Sequence, residues 1–459
     1  MFQNIGKDAY KKDLTNTIAL LKVLDNPHKG IPWIHIAGTN GKGSTSSMLN
    51  SILMESGYRV GLYTSPHLKS FTERIRVNGI EMEEQFVVDF VGKMKKSIET
   101  IKPSFFEITV AMCFDYFKYK KVEIGVIEVG LGGRLDSTNI IDPILSIITS
   151  IGYDHMDILG DTLEKIAFEK AGIIKHKVPV IVNHSIESAP LRVIQEVAEH
   201  NSAPFFITEN LDSLNSKNLN DFLKSNISNS QLDVSDNTVD SNDSGNSSES
   251  DNSSISFNSV NSNDLIITEN SIESLFSELE LKGNYQKFNF VTVLYSIREL
   301  IRLDLKIDSI GIIRGLQSVK KNSGLRGRWE IIQTSPTVIC DTGHNEDGVK
   351  SNIEQLLQIT DASNLRIVWG MVKDKDRSKI LKLLPKESQY YLIKPSVIRG
   401  YESELLAQEF STQEFKKVHV FSNVREAFEK SLLESKPTDV IFIGGSTFTV
   451  ADFLIQMDL

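Results

Sequence analysis

The stretch WIHIAGTNGKGS, residues 33–44, joins a short apolar run to a glycine-rich loop and to the start of a helix-like segment. Glycines let backbone N–H groups close on phosphate oxygens, and a helix N-terminus adds a partial positive charge. Lys42 can reach the β- and γ-phosphates of a nucleotide, and Ser44 has the hydroxyl expected near Mg²⁺. Gly41, Lys42, Gly43 and Ser44 are therefore predicted to bind nucleotide, although Ile36 stands where the full P-loop pattern has glycine.

Outside this stretch, short apolar runs alternate with amphipathic segments in two series, as in parallel α/β sheets. We predict an α/β fold with two domains built on parallel sheets, an N-terminal one that carries the phosphate loop and a smaller C-terminal one. The predicted domains span residues 1–325 and 326–459, with the join near Gly324–Glu330. The predicted strands are Trp33–Ala37, Arg59–Thr64, Glu123–Val129, Leu145–Ser150, Val178–Asn183, Thr337–Cys340, Arg366–Trp369, Gln389–Ile393, Lys417–Phe421 and Val440–Ile443.

Residues 211–264 form a separate compositional segment. Roughly two thirds of them are Ser, Asn or Asp, and they show no hydrophobic period. Such a stretch cannot bury enough apolar surface to offset the entropy lost on ordering. The composition therefore predicts a disordered surface insertion within the first domain.

The overall composition narrows the classes of function. The chain has 459 residues, 40% hydrophobic and 24% charged, with a formal net charge of −10. This balance argues against bulk electrostatic binding to nucleic acid or to an anionic membrane. Two cysteines cannot form a disulfide framework, and no apolar run approaches the roughly 20 residues that span a bilayer. We expect a cytoplasmic protein with small-molecule substrates and no nucleic-acid or membrane partner, and the pattern demands nothing beyond a monomer.

Two polar residues follow predicted strands. Glu128 ends a buried strand, and His155 lies just past another one. The carboxyl ends of parallel strands face the crevice where α/β sheets bind ligands. A carboxylate oxygen is a ligand that suits Mg²⁺. Each residue alone could be structural, but both are predicted to share a sheet edge with the phosphate loop.

Lys170 lies on the apolar face of a predicted helix. Asp161 is predicted to be its N-cap, with Glu164 completing a capping box. Seven residues separate Leu163 from Lys170, which places the lysine on the stripe of Leu163, Ile166 and Ala167. A buried ammonium needs a carboxylate partner, a snorkelling route to solvent, or a changed charge state. Because burial lowers the pKa of a lysine, a neutral amine able to form a carbamate with CO₂ is one of these outcomes.

With these residues in place, the chain resembles the folylpolyglutamate synthase/dihydrofolate synthase family of the Mur ligase superfamily. The resemblance covers nearly the whole chain apart from the insertion. Its motifs occur in the family's order, and the ordered set is specific where single motifs are weak. They are GTNGKGS at 38–44, SPHL at 65–68, ERIRVNG at 73–79, SFFE at 104–107, EVGLGGRLDSTN at 128–139, SIGYDHMDILG at 150–160, FEKAGI at 168–173, DTGHN at 341–345, GMVKDKD at 370–376 and GGSTF at 444–448.

The resemblance implies roles at the matching positions, with Lys42, His155 and Lys170 as the catalytic set. Positions that match magnesium ligands are Ser65, Glu128, His155 and, as a carbamate that helps bind a second Mg²⁺, Lys170. Positions that match ATP contacts are Asn289, Arg328 and Asp341, with His344 in the same motif as Asp341. Positions that match the pterin site are Ser104, Phe105, Phe106, Glu107 and Leu135. Two departures from the family affect the adenine or hinge surroundings: Tyr285 replaces a frequent His, and Leu325-Arg326-Gly327-Arg328 replaces Trp-Pro-Gly-Arg.

The resemblance further implies the Mur ligase architecture, with an N-terminal P-loop ATPase domain on a parallel sheet and a smaller C-terminal Rossmann-like α/β domain. It also implies an ATP-dependent ligase. It would join L-glutamate to 7,8-dihydropteroate and to the glutamate tail of reduced folates through an acyl phosphate, with two Mg²⁺ ions and ATP as substrate. Two alternatives remain open. One is a folylpolyglutamate synthase without dihydrofolate synthase activity, and the other is a nucleotide-binding regulatory module without ligase activity.

Overall fold

The computed structural model describes residues 13–215, 217–225 and 271–459. An eight-stranded sheet has the spatial order β4-β3-β2-β5-β1-β6-β7-β8, and a six-stranded sheet has the order β13-β12-β11-β14-β10-β9. The first sheet contains β1 (Trp33–Ala37), β2 (Val60–Tyr63), β3 (Ile75–Val77), β4 (Ile80–Glu81), β5 (Ile124–Glu128), β6 (Leu145–Ile148), β7 (Val180–Val182) and β8 (Phe205–Ile207). The second contains β9 (Glu330–Thr334), β10 (Thr337–Cys340), β11 (Leu365–Trp369), β12 (Gln389–Leu392), β13 (Val418–Val420) and β14 (Val440–Gly444).

The helices connect and cover these sheets. Those before the second sheet are α1 (Thr15–Val23), α2 (Lys42–Glu55), α3 (Glu84–Ile101), α4 (Phe105–Tyr119), α5 (Met156–Leu159), α6 (Leu163–Ala171), α7 (Ser188–His200), α8 (Leu211–Leu214), α9 (Leu219–Lys224), α10 (Ile272–Ser277), α11 (Gln286–Arg302), α12 (Ser309–Gln317) and α13 (Val319–Ser323). Those of the second sheet are α14 (Glu346–Ile359), α15 (Arg377–Leu381), α16 (Ser403–Thr412), α17 (Val424–Leu433) and α18 (Thr447–Gln456). The α/β fold with its P-loop strand and helix is confirmed.

The first sheet, predicted to be parallel, is parallel except at one edge. Strands β3 and β4 pair antiparallel with each other, and β3 pairs antiparallel with β2. The β3–β4 turn is Asn78-Gly79, and both residues have positive φ, 48° and 75°. This is the backbone of a tight hairpin turn, for which Asn-Gly is the preferred pair. In the second sheet, β9 likewise pairs antiparallel with β10.

Helix α2, which follows the phosphate loop, is buried from Gly43 to Leu53. Helix α12 packs so closely on it that a Cβ on Gly315 would lie 2.5 Å from the Ile52 Cα. The Ser51 hydroxyl donates to the Gly315 carbonyl oxygen at 2.6 Å. The phosphate loop therefore leads into a helix, α2, that is fixed by burial and by its contacts with α12.

The predicted disordered insertion is wrong for its first residues. Residues 211–225 include α8 and α9, and Leu211, Leu214, Leu219 and Phe222 are buried in the main core of the first domain. The polar composition hid four apolar residues at helical spacing, which is enough to dock two short helices. Residues 226–264 of the predicted insertion lie outside the described residues.

Across the described ranges, no helix is long and apolar enough to cross a membrane.

Candidate active site

Four neighbouring strands of the first sheet end at one edge, and a predicted site residue follows or ends each of them. In space the order is β2, β5, β1 and β6, all parallel. Ser65 follows β2, Glu128 ends β5, the phosphate loop follows β1, and His155 lies beyond β6. The register pairs Ile36 of β1 with Glu128 of β5. The fold therefore brings the predicted phosphate and metal residues to the crevice end of the sheet.

The phosphate loop is fixed by the segment that follows β6. The Thr149 hydroxyl donates to the Asn40 carbonyl oxygen at 2.6 Å, and the Asn40 N–H donates to the Ser150 hydroxyl at 2.8 Å. Gly38 needs to be glycine because a Cβ there would lie 1.9 Å from the Thr149 hydroxyl oxygen. Gly41 has φ 88° and is the N-cap of α2. The loop is thus held in a shape that only glycines at these positions allow.

Two lysines donate to the same backbone oxygen. The Lys42 Nζ lies 3.0 Å from the Gly38 carbonyl oxygen, and the Lys170 Nζ lies 2.8 Å from it. Lys170 is 4% exposed. Burial, reinforced by the charge of Lys42, lowers the pKa of Lys170 to about 7. A substantial fraction of Lys170 is therefore a neutral amine near neutral pH, which is the form that reacts with CO₂.

Helix α6 presents Lys170 as the sequence predicts, on the face with Ile166 and Ala167. The predicted N-cap is wrong by one residue. Thr162 is the N-cap, and its side chain accepts from the Lys165 N–H, whereas the Asp161 carboxylate binds the Lys165 ammonium at 2.7 Å. Asp161 precedes the first turn, so its carboxylate pairs with a side chain one turn along instead of with the backbone.

Glu128 lies between the phosphate loop and the loop after β2. Its Oε2 accepts from the Ser65 backbone N–H at 3.2 Å. A Cβ placed on Gly43 would lie 3.7 Å from that oxygen and 3.8 Å from an Arg328 guanidinium nitrogen. Burial raises the pKa of Glu128, while the charges of Lys42 and Arg328 oppose that rise. Arg328 thus reaches from the interdomain join to the start of α2.

The second domain contacts Asp154, the neighbour of His155. The Asp154 carboxylate binds the Lys375 ammonium, and its Oδ2 lies 3.5 Å from the His344 Nε2. Although burial alone would raise the pKa of Asp154, hydrogen bonding to His344 and the charges of His155 and Lys375 hold it well below its usual value. The His155 side chain is 41% exposed, but desolvation by its surroundings lowers its pKa to about 4, which leaves the imidazole neutral and able to ligate a metal.

The remaining predicted ATP residues lie at the domain junction. Asn289 places its Oδ1 against Gly41, where a Cβ would approach it to 2.2 Å. Asp341 is 2% exposed and accepts four hydrogen bonds within the protein. The structure therefore gives Asp341 a bracing position at the join, and the ATP contact expected from the resemblance stays a prediction.

The predicted pterin residues divide into two groups. Ser104 and Glu107 form the capping box of α4, in which each side chain accepts from the other residue's backbone N–H. Phe105 and Phe106 stand beside the loops at the crevice end. The Phe106 ring packs against Gly130, where a Cβ would lie 2.3 Å from it, and Leu135 is half-buried in the same loop.

Sequence reasoning assigned no role to three charged residues of this crevice, which are Arg74, Asp154 and Lys375. Arg74 is 5% exposed, donates to the His67 Nδ1 at 2.8 Å, and lies 5.9 Å from the centre of the Phe105 ring. The motifs ERIRVNG, SIGYDHMDILG and GMVKDKD contain all three. The signal was thus present, but only the packing identifies which residues of each motif face the crevice.

The donor set suits a divalent cation held jointly with phosphates. Within the described ranges, no group of three or more His, Cys, Asp and Glu side chains is placed to hold a metal ion. The predicted set contains two such side chains, Glu128 and His155. Its other members are the hydroxyls of Ser44 and Ser65 and the amine of Lys170. Mg²⁺ is commonly bound through one or two protein ligands together with substrate phosphates and water. The residues present therefore fit a divalent cation that is shared with a nucleotide better than a cation held in a closed protein cage.

Two family models match the chain. Residues 36–296 match the Mur ligase middle domain, and residues 327–447 match the Mur ligase glutamate ligase domain. The Bacillus subtilis dihydrofolate synthase/folylpolyglutamate synthase is 33% identical over 82% of this chain and 80% of its own length. The probable bifunctional folylpolyglutamate synthase/dihydropteroate synthase of Haloferax volcanii is 30% identical over 94% of this chain. The chain spans only 47% of the length of that relative.

Solved structures agree in fold over nearly the whole chain. The Escherichia coli FolC structure with DHPP and ADP matches with a TM-score of 0.76 and 26% identity, over 99% of this chain and 95% of that one. A bifunctional folylpolyglutamate synthase/dihydrofolate synthase with Mn, AMPPNP and L-glutamate bound matches with a TM-score of 0.74 and 26% identity, over 98% and 95%. The chain therefore belongs to the folylpolyglutamate synthase/dihydrofolate synthase family of the Mur ligases.

Proposed function

We propose that this protein uses ATP to ligate L-glutamate to 7,8-dihydropteroate and to the glutamate tail of reduced folates. The observation that carries this proposal is the meeting of two sets of residues in one cleft. The first domain supplies a phosphate loop with Lys42 and Lys170, and the second domain brings His344 and Lys375 against Asp154. The names of the relatives and the ligands of the neighbouring structures agree with this reaction.

The chain's own residues would manage the charge of three anionic groups, namely the triphosphate, the substrate carboxylate and glutamate. Lys42, which donates to loop carbonyl oxygens at 3.0 and 3.2 Å, would turn toward the phosphates. Arg328 lies near Gly43 and would offset charge that develops on the transferred phosphoryl group. The carboxylate of the pterin substrate would attack the γ-phosphate and displace ADP, which gives an acyl phosphate. The amine of glutamate would then attack the acyl carbon, displace inorganic phosphate and lose a proton to solvent, which leaves the amide.

We propose Mg²⁺ as the divalent ion, with two sites. Ser44, Ser65 and Glu128 would hold the ion at the phosphate loop, and His155 with a carbamate on Lys170 would hold the second. A divalent cation there would neutralise phosphate charge and orient the γ-phosphate toward the attacking carboxylate. The lowered pKa of Lys170, to about 7, supports the carbamate because it provides the neutral amine that this modification needs. The Mn ion with AMPPNP in a neighbouring structure supports a divalent ion with nucleotide in this fold.

Arg74 and Phe105 would receive the pterin substrate. The Arg74 guanidinium is nearly buried, lies beside the Phe105 ring and interacts with the charge of Glu128. A cation beside an aromatic ring suits a ligand that combines a flat ring with a carboxylate. Ser104 and Glu107 would act by fixing the start of α4, because their polar groups are engaged in its capping box.

Closure of the second domain would protect the acyl phosphate. Asp154 binds Lys375 across the cleft, and the Asn40 and Asn345 side-chain amides pair at 3.0 and 3.1 Å beside the phosphate loop. Excluding water from this space would favour glutamate over water as the nucleophile. We propose that the protein acts as a monomer. The buried thiols of Cys113 and Cys340 agree with a cytoplasmic location.

A coupled assay of ADP release tests the reaction class. ADP release that requires both L-glutamate and a pterin carboxylate supports a ligase. A protein that binds ATP but releases no ADP under these conditions would favour the alternative of a regulatory module. ADP release with folate but not with dihydropteroate would favour the monofunctional folylpolyglutamate synthase.

A further inference from the structure

A short segment before α11 is joined to the second domain by several hydrogen bonds. The Asn284 N–H donates to the Gln355 Oε1 at 2.7 Å, and the Asn284 side chain donates to the Gln358 Oε1 at 3.0 Å. The Gln355 amide in turn donates to the Lys282 carbonyl oxygen at 3.2 Å. Residues 282–285, which we term the docking segment, therefore lie against helix α14 of the second domain.

Tyr285 ends the docking segment with a stronger contact. Its hydroxyl donates to the Asp341 Oδ2 at 2.6 Å. The same oxygen accepts from the Trp329 N–H at 2.7 Å, at the interdomain join. Gly283 allows the Tyr285 ring to lie in place, because a Cβ on Gly283 would come within 2.7 Å of that ring. A hydroxyl bound to a carboxylate is a charge-assisted hydrogen bond and is stronger than a neutral one.

The other end of this connection is the phosphate loop. Tyr285 is the residue that precedes the first turn of α11, and that turn carries Gln286 and Asn289. The buried Gln286 donates from its amide nitrogen to the Ser44 hydroxyl oxygen at 3.2 Å and accepts from the Asn289 side chain at 2.8 Å. Asn289 in turn lies against Gly41, as described above. One turn of helix thus separates the contact of Tyr285 with the second domain from the contacts of Gln286 and Asn289 with the phosphate loop.

We propose that Tyr285 is a positioning residue that transmits the placement of the second domain to the phosphate loop. When Asp341 accepts from the Tyr285 hydroxyl, the first turn of α11 is fixed. The Gln286 amide then donates to one lone pair of the Ser44 hydroxyl oxygen, which leaves the other lone pair for a ligand at the nucleotide site. Tyr285 makes no contact with substrate in this account and acts through Gln286 and Asn289. The inference rests on the proposed function only for its kinetic readout, since nucleotide binding tests it separately.

The first test is Tyr285→Phe, which removes the hydroxyl and keeps the ring against Gly283. We expect the affinity for a nonhydrolysable ATP analogue with Mg²⁺, measured by calorimetry, to fall about tenfold. In turnover assays KM for ATP should rise by a similar factor, while kcat at saturating ATP and KM for glutamate stay within twofold. The matched control is Tyr391→Phe, which removes a hydroxyl bound at 2.6 Å to Glu434 inside the second domain. It should leave ATP affinity unchanged.

The second test asks whether the effect passes through Gln286. Gln286→Met keeps the side-chain length and removes both amide contacts. If Tyr285 acts through Gln286, the double variant should bind the analogue no more weakly than the weaker single variant. Multiplying effects, or a Tyr285→Phe protein with wild-type ATP affinity, would overturn the inference. A wild-type protein that binds the analogue but forms no glutamyl product would instead overturn the proposed function, and the binding series would still test the relay.

Discussion

The crevice end of the first sheet buries charged side chains, whereas helices α8 and α9, which we term the base of the insertion, bury apolar ones. At the crevice, Glu128, Asp136 and Lys170 are all at most 4% exposed. At the base of the insertion, α8 and α9 bury leucines and Phe222. Buried charges destabilise a fold unless they are paired, whereas buried apolar groups stabilise it. The difference teaches that the crevice keeps charge for chemistry and that packing elsewhere, including the base of the insertion, supplies the stability.

The largest expected effect is at the crevice. Lys42→Ala should lower glutamate-dependent ADP release at least about a thousandfold, because it removes the cation that meets the transferred phosphoryl group. The melting temperature should change little, since Lys42 donates only to loop carbonyl oxygens. Lys22→Ala, an exposed lysine on α1, is the matched control. Retention of more than a tenth of wild-type activity would contradict the assignment of Lys42.

The base of the insertion should respond in the opposite way. Phe222 packs against Arg298, whose guanidinium carbon lies 4.2 Å from the centre of its ring. Phe222→Ala should lower the free energy of unfolding by about 3 kcal/mol, because it removes a buried ring. The kcat of the folded protein should stay within twofold. Denaturant unfolding and turnover are the two measurements, and the exposed Lys224→Ala is the control. A loss of kcat at unchanged stability would contradict the view that this region supplies stability and not chemistry.

Lys170 separates the metal hypothesis from simple packing. Lys170→Ala should reduce activity about a hundredfold and raise the Mg²⁺ concentration needed for half-maximal rate. Lys165→Ala on the same helix, whose ammonium pairs with Asp161 at the surface, should change neither quantity. The measurement is the rate as a function of Mg²⁺ concentration. An active Lys42→Ala/Lys170→Ala double variant would refute the site as a whole.

His35 tests the stability cost of the buried polar groups. It is fully buried, and burial lowers its pKa to about 3 from 6.5. Because the unfolded chain binds the proton first, stability is complete above pH 6.5 and is lost as pH falls from 6.5 toward 3. His35 should therefore account for a loss of about 2 kcal/mol between pH 7 and pH 5.

His35→Asn should flatten that part of the stability profile, as measured by urea unfolding at several pH values. The exposed His176→Asn is the control and should leave the slope as in the wild type. An unchanged slope in His35→Asn would show that other groups cause the acid sensitivity.

The smallest effect is expected from shortening the insertion. Its two ends are already joined, since Asn218 and Ser271 form a β-bridge and the Ile272 N–H donates to the Lys217 carbonyl oxygen at 3.1 Å. Replacing residues 226–270 by a short Gly/Ser linker should therefore change the melting temperature by no more than about 2 °C and leave kcat unchanged. Removing α9 together with this stretch should be strongly destabilising. Equal effects of the two deletions would contradict the view that the base of the insertion stabilises the first domain.

The sequence predicted the parts of the molecule that depend on local patterns. Strand β1 has the predicted bounds, and Lys170 lies on the predicted face of α6. The β3–β4 hairpin was also predictable, because Asn78-Gly79 is a strong turn pair, although the predicted strands include neither β3 nor β4. The composition of residues 211–225 was misleading, because a few leucines at helical spacing dock short helices even among polar residues.

Other parts of the site depend on contacts that no local pattern contains. Asp154 and Lys375 are 221 residues apart in the chain and meet only when the domains pack. Arg74 lies 5.9 Å from the centre of the Phe105 ring because the short 3-10 helix before β3, Phe71–Arg74, ends there, and its Nε donates to the His67 Nδ1. A single sequence gives no distance between two sheets, so these residues could be quoted within motifs but not assigned to the crevice.

The central claim is tested most directly by mass spectrometry of the products formed with ATP, Mg²⁺ and L-glutamate. One reaction contains 7,8-dihydropteroate and the other a reduced folate monoglutamate. We predict one added glutamyl unit on dihydropteroate and further glutamyl units on the folate. Extension of the folate alone would contradict the dihydrofolate synthase activity, and the absence of any glutamyl product from a protein that binds ATP would contradict the ligase itself.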